Sequence, residues 1–238
     1  MKIVVIGSTG QLGTDLVKVL KAGHEVVGLD HADIEVTDLS SCQILRKHHP
    51  EVIVNTAAFH KTDRCEVELQ KTFSVNALGA RNVALISKEL DAVNVYVSTD
   101  YVFDGTKAAP QPYRESDEPG PTSYYGKTKL EGETAVKETM ENYVIVRTAW
   151  LYGMNGHNIL KTFLKMALEN PDKPIKVVND QFGSPTWSYR LALQIRELTS
   201  SRGAPFIIND RADIARLVAA DGVHLGQHSV SVTAARKL

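Results

Sequence analysis

Short apolar runs rich in β-branched residues alternate along this chain with longer segments in which apolar residues recur every three to four positions. Lys2–Ile6, Glu25–Leu29, Glu51–Asn55, Val93–Val97 and Tyr143–Val146 read as strands. Their nearly continuous hydrophobicity is what parallel strands covered on both faces require. Gln11–Lys21, Leu39–His48, Gln70–Leu90 and Tyr125–Met140 read as the helices between them. Strict strand-helix alternation predicts an α/β fold, a Rossmann-type doubly wound parallel sheet with right-handed crossovers. After Trp150 the spacing predicts a helix near Asn158–Leu168, a strand near Ile175–Val178 and a helix near Tyr189–Thr199, a small C-terminal substrate lobe over the carboxyl edge of the sheet. The loop from Asp104 to Ser123 is longer than most connections, which marks it as functional or mobile.

Composition narrows the function classes. Lys and Arg total 27 against 28 Asp and Glu, with no basic run, so neither a nucleic-acid nor an anionic-membrane partner is expected. The apolar stretch after Lys2 stops at Gly7, too short for a signal sequence, and nothing approaches the length of a membrane span. Cys42 and Cys65 stand far apart in no metal-like spacing, so no disulfide framework is expected and the cytoplasm is the default location.

The first strand runs straight into Gly7-Ser8-Thr9-Gly10-Gln11-Leu12-Gly13, which opens the first helix. Glycines there permit a tight turn and close approach of backbone to a pyrophosphate, while the helix start supplies amides and positive dipole. Gly7, Gly10, Gln11, Leu12 and Gly13 are therefore candidate ligands of a nicotinamide dinucleotide, NADH or NADPH. Asp30 ends the second strand where an acid accepts from a ribose hydroxyl, which leans towards NADH, although capping a turn is the other use of an acid there. Asp38 is read equally as a helix cap or an adenine contact. Asn55-Thr56-Ala57-Ala58 ends the third strand in small residues, so Ala57 and Ala58 are placed against the cofactor.

Tyr125 and Lys129 lie at i and i+4 on one predicted helix face. The spacing predicts that the ammonium depresses the phenol pKa towards neutrality and makes it a proton donor. Ser98-Thr99-Asp100-Tyr101 closes the fourth strand, at the edge where ligands sit in open α/β sheets. A hydroxyl there is placed to polarise a substrate carbonyl beside the tyrosine.

These residues resemble the extended short-chain dehydrogenase/reductases and, within them, the dTDP-4-dehydrorhamnose reductases. The similarity is carried by Gly7–Gly13, Asn55–Ala58 with Asp63, Val75–Ala80, Ser98–Gly105 (STDYVFDG), Tyr125–Glu133 (YGKTKLEGE), Arg147–Gly153 (RTAWLYG) and Asp180–Thr186 (DQFGSPT). The resemblance implies a catalytic triad of Thr99, Tyr125 and Lys129, with Tyr125 and Lys129 also against the cofactor. It implies Asp100, Trp150 and Asn158 as substrate contacts. The reaction it implies is hydride transfer to the C4 carbonyl of dTDP-4-dehydro-β-L-rhamnose, Tyr125 protonating the alkoxide. Mg²⁺ and a homodimer come with the resemblance, but no metal-ligating residue is assigned. Dehydratases that share the triad carry Glu where Tyr101 stands here, which favours simple reduction over dehydration or epimerisation. A non-catalytic dinucleotide-binding subunit is the reading from another class.

Past about Thr199 the similarity stops. Pro205–Leu238 instead resembles an internal fragment of thiamine-phosphate synthase, through the strings INDR and ADGVHLGQ. Asn209 and Asp210 match a pyrophosphate and Mg²⁺ site there, and Ser229 replaces a second metal-binding Asp. One such fragment cannot close an eight-stranded barrel. The expected organisation is a dinucleotide-binding domain over 1–150, a partial substrate lobe over 151–199 and a foreign segment over 200–238. In that last segment Phe206–Asn209, a helix Asp213–Ala220 and Val223–Leu225 form a βαβ unit, so the chain reads as a fusion or chimera in which dinucleotide binding survives better than turnover.

Overall fold

The computed structural model of the chain describes residues 1–108, 111–200, 207–209 and 222–224. Five parallel strands form the main sheet: β1 (Lys2–Ile6), β2 (Glu25–Leu29), β3 (Val52–Asn55), β4 (Val93–Thr99) and β5 (Tyr143–Thr148). They lie in the order β2-β1-β3-β4-β5. The chain leaves β1 towards β2 on one side and returns to β3 on the other. The resulting crevice between the carboxyl ends of β1 and β3 is the switch point where open α/β sheets take ligands.

Helices cover both faces. Val4 and Ile6 of β1 face a buried cluster with Leu29, Ile53, Leu45, Val83 and Ile86. Strand period two sends Ile3 and Val5, both fully buried, to the opposite face. The apolar stripe of α1 (Gln11–Leu20), Leu12, Leu16, Val19 and Leu20, is buried as well. Leu39–His48 forms two short helices rather than one, α2 (Leu39–Cys42) and α3 (Ile44–His48), and His49 ends the second with a left-handed φ of 46°. After β3 come α4 (Thr62–Cys65) and α5 (Leu69–Phe73). A π-turn over Ser74–Leu78 interrupts the helix expected from Gln70, and α6 (Gly79–Glu89) resumes it.

A 3₁₀ turn (Asp100–Val102) follows β4, and α7 (Tyr124–Thr139) leads into β5. The loop between them folds on itself: Phe103 stacks on Tyr113 at 4.4 Å and Lys107 pairs with Asp117. Further on lie β6 (Leu151–Tyr152), α8 (Ile159–Glu169), β7 (Thr186–Trp187) and α9 (Ser188–Ser200). β6 and β7 pair in parallel, a contact with no signal in two-residue strands. The strand expected over Ile175–Val178 does not form, and Val177 and Val178 are exposed. β propensity is realised only where a partner strand is offered.

Residues 1–193 form one compact unit and 194–238 another. In the second, β8 (Ile207–Asn209) and β9 (Gly222–His224) pair in parallel. The helix expected over Asp213–Ala220, Asp210 and Ser229 lie outside the described residues.

Candidate active site

The glycine loop is built as a cradle. Gly7 has a φ of +79°, and a Cβ on it would sit 2.5 Å from Thr56 Oγ1. A Cβ on Gly13 would sit 2.0 Å from the Gly7 carbonyl oxygen. Both positions exclude any side chain, so the turn lies flat beside the end of β3. Thr56 closes the crevice by donating its hydroxyl to the Ile6 carbonyl at 2.7 Å. Gly10 precedes α1 without a capping side chain, and the first turn holds no acid. The amides of its first residues are therefore left to an external acceptor. Ala57 and Ala58 follow β3 partly buried at this edge. The donor set fits a dinucleotide pyrophosphate.

The acids flanking the crevice are committed locally. Asp30 Oδ1 accepts from the Ala32 amide at 2.8 Å, a turn cap that leaves one carboxylate oxygen for a ribose. Asp38 caps α2 through the Ser40 amide at 2.8 Å, and its hydrogen bonds to Ser40 hold the carboxyl below the usual range. Of its two readings, the cap is the one made here. Gln11 holds nothing with its side chain towards the crevice. Its Nε2 donates to the Leu151 carbonyl and its Oε1 accepts from Asn158, both at 2.9 Å, so only its amide remains for a phosphate.

The carboxyl end of β4 brings the chemistry together. Thr99 is buried and adjoins Tyr125, its hydroxyl acting on the phenol against the effect of burial. Ser123 caps α7 by accepting from the Gly126 amide at 3.1 Å, which places Tyr125 in the first turn. A Cβ on Gly126 would lie 2.2 Å from the Tyr101 carbonyl oxygen, so α7 presses directly on the 3₁₀ turn. The rings of Tyr101 and Tyr125 meet edge to face at 5.7 Å. Asp100 lies alongside, its carboxyl pushed up by burial and accepting from Thr99 Oγ1 at 3.2 Å.

The expected depression of Tyr125 by Lys129 does not occur. Burial pushes the phenol above the usual tyrosine value, with the neighbouring Thr99 hydroxyl opposing it. Lys129 is fully buried, donates its ammonium to the Val97 carbonyl at 2.7 Å and lies 4.1 Å from the centre of the Tyr96 ring. Burial pushes its own pKa down to about 7, opposed by the charge of Glu133. Helical spacing brought the two residues to one face, but the interior of the sheet decided where the ammonium points.

Two residues that carry the site have no role in the sequence reading although their motifs were singled out. Glu133, fully buried one turn after Lys129, accepts from Arg147 Nε at 2.9 Å and Nη2 at 2.6 Å, and from Ser98 Oγ at 2.6 Å. Ser98 and Arg147 are register partners across β4 and β5. This bidentate pair bolts α7 to the strand end that carries Thr99. Asn76, buried in the π-turn, accepts from the Phe59 amide at 2.9 Å and donates to Thr128 Oγ1 at 3.1 Å. The i, i+4 carboxylate was legible; its buried partners were not.

Trp150 and Asn158 part company. Trp150 has a φ of 47°, in the left-handed region that tryptophan seldom adopts, and its indole is 39% exposed. A Cβ on Gly183 would come within 2.9 Å of Trp150 Nε1, so the ring lies over that glycine. Asn158, in contrast, is buried with its amide engaged: it donates to Gln11 and to the Gly153 carbonyl and caps α8 through the Lys161 amide. Its side chain thus ties α1 and Gly153 to the start of α8. Among the described residues no three His, Cys, Asp or Glu side chains converge as a metal site. No described helix is long and apolar enough to cross a membrane.

Comparison with known proteins agrees with this geometry. The family model described as "RmlD substrate binding domain" matches residues 1–206. The spore coat polysaccharide biosynthesis protein SpsK of Bacillus subtilis is 41% identical over 201 residues, covering 84% of this chain and 70% of that protein. A dTDP-4-keto-6-deoxy-D-glucose reductase of Streptomyces niveus is 40% identical over 195 residues, covering 81% of this chain and 66% of that protein. The chain thus spans about two thirds of the length of these relatives. The crystal structure of a dTDP-4-dehydrorhamnose reductase from Bacillus anthracis, in complex with NADP, is similar with a TM-score of 0.80 at 38% identity, covering 84% of this chain and 71% of that one. On the glycine cradle, the Thr99–Tyr125 pair and a family match that runs from the first residue to position 206, the chain belongs to the RmlD substrate binding domain family.

Proposed function

We propose that this chain binds a reduced nicotinamide dinucleotide across the β1/β3 crevice and reduces the C4 carbonyl of a dTDP-linked 4-dehydro-6-deoxy sugar, dTDP-4-dehydro-β-L-rhamnose being the substrate. Gly7, Gly10 and Gly13 with the amides of Gln11 and Leu12 hold the pyrophosphate, and Ala57 and Ala58 line the path of the chain past β3. Bound there, the cofactor supplies the hydride.

The residues of the chain supply the proton and the orientation. The observation that carries the reading is the meeting of buried Thr99 with partly buried Tyr125 at the carboxyl end of β4. Its raised pKa keeps the Tyr125 phenol protonated at neutral pH, as a general acid must be before it acts. The phenol gives its proton to the alkoxide oxygen that forms at C4, and Thr99 orients the carbonyl beside it. Lys129 fixes the Val97 carbonyl two residues before Thr99 and places a cation beneath the site as the phenolate forms. Trp150 lies at the rim as a stacking surface for substrate. With both cysteines free and buried, the reducing cytoplasm suits the protein.

The change of sequence character past about Thr199 supports a second reading, a dinucleotide-binding protein with impaired turnover. One measurement tests both and another separates them. NADH fluorescence titration gives saturable binding under either reading, and its absence removes both. A coupled assay following NADH oxidation with the keto-sugar nucleotide gives turnover only under the first. Tyr125→Phe then lowers kcat by about 10²–10⁴-fold with NADH binding intact; an unchanged rate takes the proton-donor role from Tyr125.

A further inference from the structure

The helix that offers its first amides to the cofactor is also tied, through side chains, to the segment that carries Trp150. Gln11 at the start of α1 holds the Leu151 carbonyl and the Asn158 amide, each at 2.9 Å. One turn later Asp15, buried to 6% exposure, accepts from Asn155 Nδ2 at 3.2 Å and from the Ser188 hydroxyl. Two glycines make the approach close. A Cβ on Gly153 would lie 2.1 Å from Ser188 Oγ, and one on Gly156, whose φ is +65°, would lie 2.9 Å from Gln11 Cβ. Trp150 stands one residue before Leu151, held in its left-handed conformation, with its carbonyl accepting from the Thr186 amide at 3.3 Å. A buried carboxylate and a buried amide are costly unless hydrogen-bonded, so this arrangement is strongly specified.

We infer that Gln11 and Asp15 are positioning residues for the nucleotide-sugar: they clamp the 151–158 segment onto α1 and so set the place of Trp150, while contributing nothing through their side chains to dinucleotide affinity. The inference rests on the reading of Trp150 as a substrate contact. It divides the first turn of α1 into two functions on one residue, the Gln11 amide facing the pyrophosphate and the Gln11 side chain serving the sugar nucleotide. Loosening the clamp frees the segment to leave its strained geometry, which costs affinity only for the ligand that Trp150 contacts.

The test uses the full chain, NADH and thymidine diphosphate as probes, with Gln11→Met and Asp15→Asn as near-isosteric variants. NADH affinity by fluorescence should stay within about threefold of the parent in both, and dTDP affinity by calorimetry should fall at least about tenfold, a split that general destabilisation does not produce. A spectroscopic readout independent of ligands comes from the tryptophans, of which there are two. In a Trp187→Phe background the emission of Trp150 should shift to the red and lose anisotropy when Gln11→Met is added. If Asp15→Asn fails to fold, Asn155→Ala, which removes one bond from the partly exposed side, carries the same expectation at smaller size. Parallel loss of both affinities, or unchanged dTDP affinity in Gln11→Met, overturns the inference alone. A parent chain that binds NADH but not dTDP overturns it together with the nucleotide-sugar reading and leaves the dinucleotide reading standing.

Discussion

The strands that build the crevice and the segment after Trp150 are held by different means. β3 is buried along its whole length and β1 at all but its first residue, whereas every residue of β5 is only partly buried and α8 has no buried residue at all. Leu160, Leu164, Leu168, Phe182 and Trp187 are among ten exposed large apolar residues described after Trp150, against six before it, four of them between Val67 and Leu78. The dinucleotide half is thus stabilised by burial on both sheet faces. The later segment buries Leu191 and Ala192 of α9, and the stretch from Leu151 to Asn158 is tied to α1 by polar contacts at Gln11 and Asp15. Cofactor binding is built into the core, and substrate positioning is attached to it by hydrogen bonds.

Four substitutions break or sharpen that contrast. Glu133→Gln leaves partly buried Arg147 beside a neutral partner and should cost about 3 kcal/mol, read as a fall in Tm of roughly 10 °C. A loss below 1 kcal/mol would show that the buried pair does not bolt α7 to the sheet. Leu16→Ala, in the fully buried stripe of α1, should cost about 2–5 kcal/mol by denaturant unfolding.

Lys129→Met tests the buried ammonium through pH. The pKa of Lys129 in the folded chain is about 7, below the unfolded value of about 10.4, so between these values the unfolded chain binds more protons. Stability therefore rises with pH across that window, by at most about 1.4 kcal/mol per unit, and the penalty is fully present below it. Lys129→Met should flatten this rise and be more stable than the parent at pH 7; equal slopes would place the charge elsewhere. The smallest effect is expected of Leu164→Ala on the exposed face of α8, within about 0.5 kcal/mol of the parent. A cost as large as that of Leu16→Ala would mean that α8 is covered.

Much of this was legible from the order of residues. The five main strands fall within two residues of their expected ends, because parallel strands covered on both faces leave an unbroken apolar signature. The glycine loop was legible for a similar reason, since a turn that excludes a Cβ must be written in glycine. Ser98–Asp100 and Tyr125 were placed correctly at one sheet edge. The cap formed by Asp38 was one of its two expected uses. The direction of Lys129 and the ties made by Asn158 were not legible, since each depends on which acceptor the fold brings within 3 Å.

Periodicity and glycine placement by themselves determined the doubly wound sheet, its crevice and the edge where the hydroxyls gather, because these depend on local backbone sterics and on which faces are apolar. Tertiary structure alone decided that Glu133 meets Arg147 and Ser98, that Asn76 bridges two elements through a π-turn, and that Gln11 serves the segment of Trp150. Such contacts join residues up to 173 positions apart, as Asp15 and Ser188 are, and a polar side chain carries no mark in sequence of the partner that will satisfy it once water is excluded.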